Sequence, residues 1–316
     1  MTHVENKSAY PYITHFKKEP YRSFALKKSG EIKSFFFSNY EKVLSIYQDW
    51  NESLISQSDL DLENLFWFLL FRKYLKQNNA AFEKEIYNFI ISCEVDIIEK
   101  DQIGFKLYPN STSMPDTWSL YYALISLEIL GTLEDYLYSR GANENARRIK
   151  NFLNDHSKGN SFTHCLDKKC DKCDKLLEEQ TFYYVMEIFT LLGTDVRLYK
   201  ERYKSFINEK KKDYALIFKL LSLKFFDLDI DIKEKGLQYL YQTQKADGGY
   251  GFNSESSDIQ TTFWMVNVLE NYSWLIEYNP VKIYSYLTLT LDTLLRNFNH
   301  EHTFQNLINL TQLIII

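Results

Sequence analysis

Glycine and proline are scarce in this chain, 10 and 5 in 316 residues. So few breakers of regular structure favour long helices and argue against a loop-rich scaffold. Cysteine is scarcer still, with 4 residues, which excludes the disulfide framework of a small secreted domain. Basic charge is not in excess: 37 Lys and Arg stand against 42 Asp and Glu, a net charge of −5, and the cations are scattered. That gives no attraction to a phosphate backbone and excludes nucleic acid as the natural partner. The first fifteen residues lack the basic start and apolar run of a signal peptide. The densest apolar stretch, Leu65 to Phe71, ends at Arg72 and Lys73. No membrane span is expected, and the chain reads as a soluble cytoplasmic protein. Convincing strand alternation is also missing.

Aromatic rings are abundant, with 24 Tyr and 23 Phe, and many must be buried or line something. Helical periodicity recurs from about residue 33 to the end, so the fold class is all-α, with residues 1–32 an N-terminal extension and 33–316 one domain. Two kinds of helix alternate. One is apolar nearly all round, as in Thr117 to Leu130, and must be buried on most of its surface; the other is amphipathic, as in 143–156, where Ala146, Ile149, Phe152 and Leu153 share a face and Arg147, Arg148 and Lys150 lie elsewhere. Outer helices are predicted near 33–49, 84–98, 143–157, 197–210, 233–244 and 281–297. Inner helices are predicted near 60–77, 117–131, 178–193, 212–226, 258–273 and 303–316. Leu130-Gly131-Thr132 and Leu192-Gly193-Thr194 each end an inner helix, with glycine where a left-handed stop is expected.

Paired helices of this kind can stack as an open solenoid or close on themselves, and periodicity alone fits both. Three links from an outer to an inner helix are long, 99–116, 158–177 and 245–257, and alternation puts all three at one end. Long loops gathered on a rigid scaffold are where a site usually lives. Inner-helix N-termini gather there too, and their unpaired N–H groups favour anions such as diphosphate.

The most specific segment runs from Lys235 to Phe252 and contains Gln242-Thr243-Gln244 and Gly248-Gly249-Tyr250-Gly251-Phe252. Ser257-Asp258-Ile259-Gln260-Thr261-Thr262 follows it, with Asp258 placed to cap a helix. A degraded copy, Ile103-Gly104-Phe105, leads to Pro115-Asp116-Thr117. Together these resemble the repeat of the prenyltransferase and squalene-cyclase superfamily over roughly residues 80–300, closest to a protein prenyltransferase β-subunit. The resemblance implies an α/α toroid, six outer and six inner helices forming a closed barrel. It also implies an isoprenoid diphosphate held in a central cavity, and a helical partner subunit. By the same resemblance Lys172 and Lys175 would steady the diphosphate, and Tyr183 and Tyr184 fall where the family has two aromatics. The family's zinc ligands would fall at Glu178, Gln180 and Thr261, of which Gln and Thr are not ordinary zinc ligands. The cyclase branch needs an acid, for which Asp116 and Asp258 lie at the right end; both also suit helix caps.

The residues His164, Cys165, Cys170 and Cys173 supply three thiols and an imidazole in ten positions. These are the donor types of tetrahedral zinc, with Cys170 and Cys173 as the tight half of the hook. Because His164 and Cys165 are adjacent, His156 and Asp174 stay open as the fourth ligand. The metal then either staples the 158–177 loop or activates a nucleophile, and a site without metal is the third alternative. Trp67, Tyr121, Tyr122, Tyr183, Tyr184, Phe263 and Trp264 are assigned to the inner wall, where they would pack the barrel or hold a prenyl chain or carbocation. The leading expectation is a prenyltransferase-like enzyme. A terpene cyclase and a non-catalytic toroid acting as a binding module are the alternatives.

Overall fold

The computed structural model describes residues 40–56, 58–77, 80–167, 170, 173, 178–207, 214–226, 242–252, 256–271, 280–297 and 303–315. The 1–32 extension, Lys172, Lys175, Asp174 and nearly all of the 233–244 helix lie outside the described residues. Helix dominates the rest. Residues 40–53 form α1, followed by α2 (Leu62–Tyr74), α3 (Ala80–Ser92), α4 (Thr117–Leu130), α5 (Leu133–Tyr138), α6 (Glu144–Asp155), α7 (Glu178–Leu191), α8 (Lys200–Ile207), α9 (Tyr214–Ser222), α10 (Ile259–Asn271), α11 (Pro280–Asn297) and α12 (Phe304–Ile315). Among the described residues no helix is long and apolar enough to cross a membrane.

The six helices predicted to be inner are all present as α2, α4, α7, α9, α10 and α12. In chain order α2 packs on α4, α4 on α7, α7 on α9, α9 on α10 and α10 on α12, and α12 packs back on α2. Their stops follow the sequence. Gly131 and Gly193 are left-handed at φ 74° and 64°, and the N–H groups of Thr132 and Thr194 return to the carbonyls of Leu127 and Phe189, which closes each helix in a Schellman turn. Three of them start at an aspartate: Asp61, Asp116 and Asp258 accept backbone N–H bonds in the first turns of α2, α4 and α10. The two Gly-aromatic turns share one backbone contact: the Asp116 N–H donates to the Phe105 carbonyl and the Asp258 N–H to the Tyr250 carbonyl, at 3.1 and 3.0 Å.

Three expectations need correction. The helix predicted over 84–98 stops at Ser92, and Glu94–Ile97 (β1) pairs antiparallel with Gln102–Phe105 (β2). A second short hairpin joins Ser157–Lys158 (β3) to Ser161–Phe162 (β4), so the chain is not free of strands. Arg148, placed outside by its charge, is buried: it pairs with Asp96 on β1 and donates to the Gln102 carbonyl. That hydrogen-bonded pair, its arginine buried and its aspartate exposed, ties α6 to the hairpin. The link from α4 to α6 also holds α5, which was not anticipated.

Gly104 explains the tight seat of β2. A Cβ there would lie 2.7 Å from both the Phe152 ring and the Pro115 Cβ, so the absent side chain is what lets α6 approach. Gly104→Ala is expected to destabilise the fold by about 1–3 kcal/mol, read as a lower urea midpoint. An unchanged midpoint would show that Phe152 yields without cost.

Candidate metal centre

The loop after β4 is positioned before any metal is considered. Arg202, from α8, donates to Ser157 Oγ and to the carbonyls of Gly159 and Ser161 at 2.8–3.0 Å, and its guanidinium lies over the Phe162 ring. Two residues on, the chain is fastened to the start of α4: the Thr117 N–H donates to the His164 carbonyl at 2.9 Å, and the Thr117 hydroxyl donates to the same oxygen at 3.2 Å.

His164, Cys165, Cys170 and Cys173 then converge. Their ligand atoms all lie within 4.8 Å of one another, a grouping that could hold a metal ion. Cys165 Sγ is 3.4 Å from Cys173 Sγ, and His164 Nδ1 is 3.6 Å from Cys173 Sγ and 3.9 Å from Cys170 Sγ. A tetrahedral ion with bonds of about 2.3 Å to sulfur and 2.0–2.1 Å to nitrogen needs donors roughly 3.6–3.8 Å apart. The donor set fits such an ion. Adjacency in sequence does not keep His164 and Cys165 apart, because the backbone turns both side chains to one point. His156 is not the fourth donor: it is buried, its Nδ1 shares a 2.8 Å hydrogen bond with the Phe152 carbonyl, and its ring lies on Phe152.

Behind the imidazole stands Asp116. Its Oδ1 lies 3.2 Å from His164 Nε2 and also accepts the N–H groups of Trp118 and Ser119, while Oδ2 accepts the Ser119 hydroxyl. With Nε2–H held by the carboxylate, Nδ1 is left as the free lone pair facing the thiols. This is how outer-shell carboxylates set the tautomer and orientation of histidine ligands. Burial alone would lower the His164 pKa, but the hydrogen bond and charge of Asp116, with help from Cys170, outweigh it and hold the pKa above its usual value. Burial pushes the Cys165 and Cys173 thiols up; a bound cation reverses that preference by taking the thiolates.

The remaining predicted residues fall elsewhere. Asp258 caps α10 and has no part in the metal group. Glu178 begins α7 and is exposed. Gln180 donates to the Tyr184 hydroxyl at 2.8 Å, and Thr261 is buried with its N–H on Asp258. Tyr183, Tyr184 and Trp264 are buried at 0, 2 and 5% exposure and pack ring to ring: Tyr184 stacks on Tyr121 at 3.9 Å, and Trp264 meets Tyr183 and Phe218 edge-on or tilted. Lys224 lies over Tyr183 and pairs with Glu187. Sequence reasoning missed Trp118, whose indole stands edge-on to both His164 and Tyr184 and donates to Thr181. It also missed the contact of Tyr122 with Glu63. Nothing in the local sequence marks either.

Comparison with known proteins finds no family model and no curated protein that matches the chain.

Asp116 and Asp258 provide a matched test, since each caps a helix but only one touches the metal group. Alanine at either position is expected to cost about 0.5–2 kcal/mol of stability. Only Asp116→Ala should also weaken metal binding, by roughly 10–100-fold, in competition with a chromophoric chelator. Equal affinities in the two variants would show that the Asp116–His164 contact does not serve the metal.

Proposed function

We propose that the chain is a closed α/α toroid of the prenyltransferase and squalene-cyclase type, acting as a binding module in which a zinc ion is a structural clasp. The return of α12 onto α2 supports closure. The clasp rests on one observation, the four-donor group with a buried carboxylate behind its imidazole. Thiolate and imidazole donors suit zinc, and a complete set of four protein ligands leaves no open position for substrate or water, which is the pattern of structural rather than catalytic sites. The ion would fasten the loop that leads into α7 onto the first turn of α4. The binding-module reading also accounts for the acids: Asp116 and Asp258 are engaged as helix caps, and the rings assigned to a cavity are packed on one another.

Purified from zinc-replete culture, the chain should carry about one zinc per molecule, and chelation should lower Tm by several degrees. A metal-free chain, or a Tm unmoved by chelation, would remove the clasp.

A second reading keeps the isoprenoid diphosphate expected from the resemblance. It is favoured by a polar chain among the interior rings, in which Tyr122 donates to Glu63 at 3.0 Å, lies 3.5 Å from the Tyr184 hydroxyl, and Tyr184 accepts from Gln180. Such groups could orient a polar headgroup while rings such as Phe66, Trp67 and Phe263 rearrange around an apolar tail. This reading predicts one-to-one adducts with farnesyl or geranylgeranyl diphosphate in native mass spectrometry. No adduct with either lipid would eliminate it.

A further inference from the structure

We infer that Cys165 and Cys173 form a redox-modification site, which a hydroperoxide converts to a disulfide with release of the bound metal ion. Release of the ion rests on the metal reading above; formation of the cross-link does not.

The pairing follows from geometry. Cys170 and Cys173 form the Cys-x-x-Cys hook, and Cys173 Sγ also lies 3.4 Å from Cys165 Sγ, eight positions away, within one cluster of donors no more than 4.8 Å apart. A disulfide needs the two sulfurs at about 2.05 Å, so closure requires a shift of about 1.4 Å. The two thiols also differ in access: Cys165 is buried and Cys173 is partly exposed. That difference sets the order of events.

The Cys173 sulfur attacks a peroxide oxygen; the S–O bond forms, the O–O bond breaks, and the alcohol or water fragment leaves with the thiol proton, or with a proton from solvent where the ion already holds the thiolate. Cys165 then attacks the sulfenic sulfur of Cys173. The S–S bond forms, the S–O bond breaks, and hydroxide departs as water with the Cys165 proton. Two thiols are oxidised and one hydroperoxide is reduced, the usual course for a sulfenic acid beside a second thiol. The site is left with Cys170 and His164, and two donors do not retain an ion that needed four. Cys93 serves as an internal reference. It is buried at 1% exposure and lies outside the group of converging thiols, so it remains unreacted.

The test treats the full chain, zinc-loaded and metal-free, with a few equivalents of hydrogen peroxide. Linked peptides are mapped without reduction, and freed zinc is followed with a chromophoric chelator. In both samples the expected product lacks two hydrogens, joins the Cys165 and Cys173 peptides, keeps Cys93 as a thiol and reverts with dithiothreitol. The loaded sample also releases about one ion per chain. Cys170→Ser should keep the cross-link and Cys165→Ser should lose it. A dominant Cys170–Cys173 bridge in the wild-type chain, or sulfinic acid with no bridge, would overturn the inference. If the metal-free chain forms the Cys165–Cys173 bridge but no preparation ever binds zinc, the metal reading fails and the modification site stands.

Discussion

One carboxylate joins the first turn of α4 to the cysteine loop. Asp116 caps α4 through Oδ1 and holds His164 Nε2 with the same oxygen, while Oδ2 takes the Ser119 hydroxyl. Removing it would leave both an open helix end and an unoriented imidazole in a mostly buried setting, where unmatched polar groups are costly. The first turn of α4 and the cysteine loop are therefore a single unit, and whatever orders the loop also steadies the helix.

That unit lies where several helices begin. The Leu62 N–H at the start of α2 donates to the Leu107 carbonyl, and Thr117 at the start of α4 holds His164; the loop itself runs on into α7. From the imidazole, contacts pass inward through Trp118 to Tyr184, then to Tyr122 and Glu63. A disturbance at the metal group thus has a short, packed route to the interior. The other caps, Asp61 and Asp258, repeat the helix chemistry without the histidine, which makes Asp116 the point where a common device takes on a second role.

Much of this was legible in the sequence because it depends on near neighbours. Helix periodicity, the glycine stops at Gly131 and Gly193, the Asp258 cap and the cysteine spacing are all settled within a few residues. What escaped reading depends on partners far along the chain. Arg148 is inside because Asp96, fifty-two positions earlier, pairs with it, as does Asp101, and a hydropathy pattern assigns any arginine to solvent. The strands β1 to β4 have two to four residues each, too short for alternation to register, and β1–β2 is steadied by its seat against α6. Asp116 and His164 are forty-eight residues apart, and only the return of the loop to α4 brings them together. The aromatic residues were assigned correctly to the interior, but composition does not distinguish rings that pack on each other from rings that line a space.

On the proposed clasp, three thiolates and one imidazole surround a single ion, with the imidazole fixed from behind by Asp116. X-ray absorption spectroscopy of the zinc-loaded chain tests it most directly. The expected shell has three sulfurs at about 2.3 Å and one nitrogen at about 2.0–2.1 Å, with no bound water. A shell of two sulfurs completed by oxygen, or one dominated by oxygen, would contradict it.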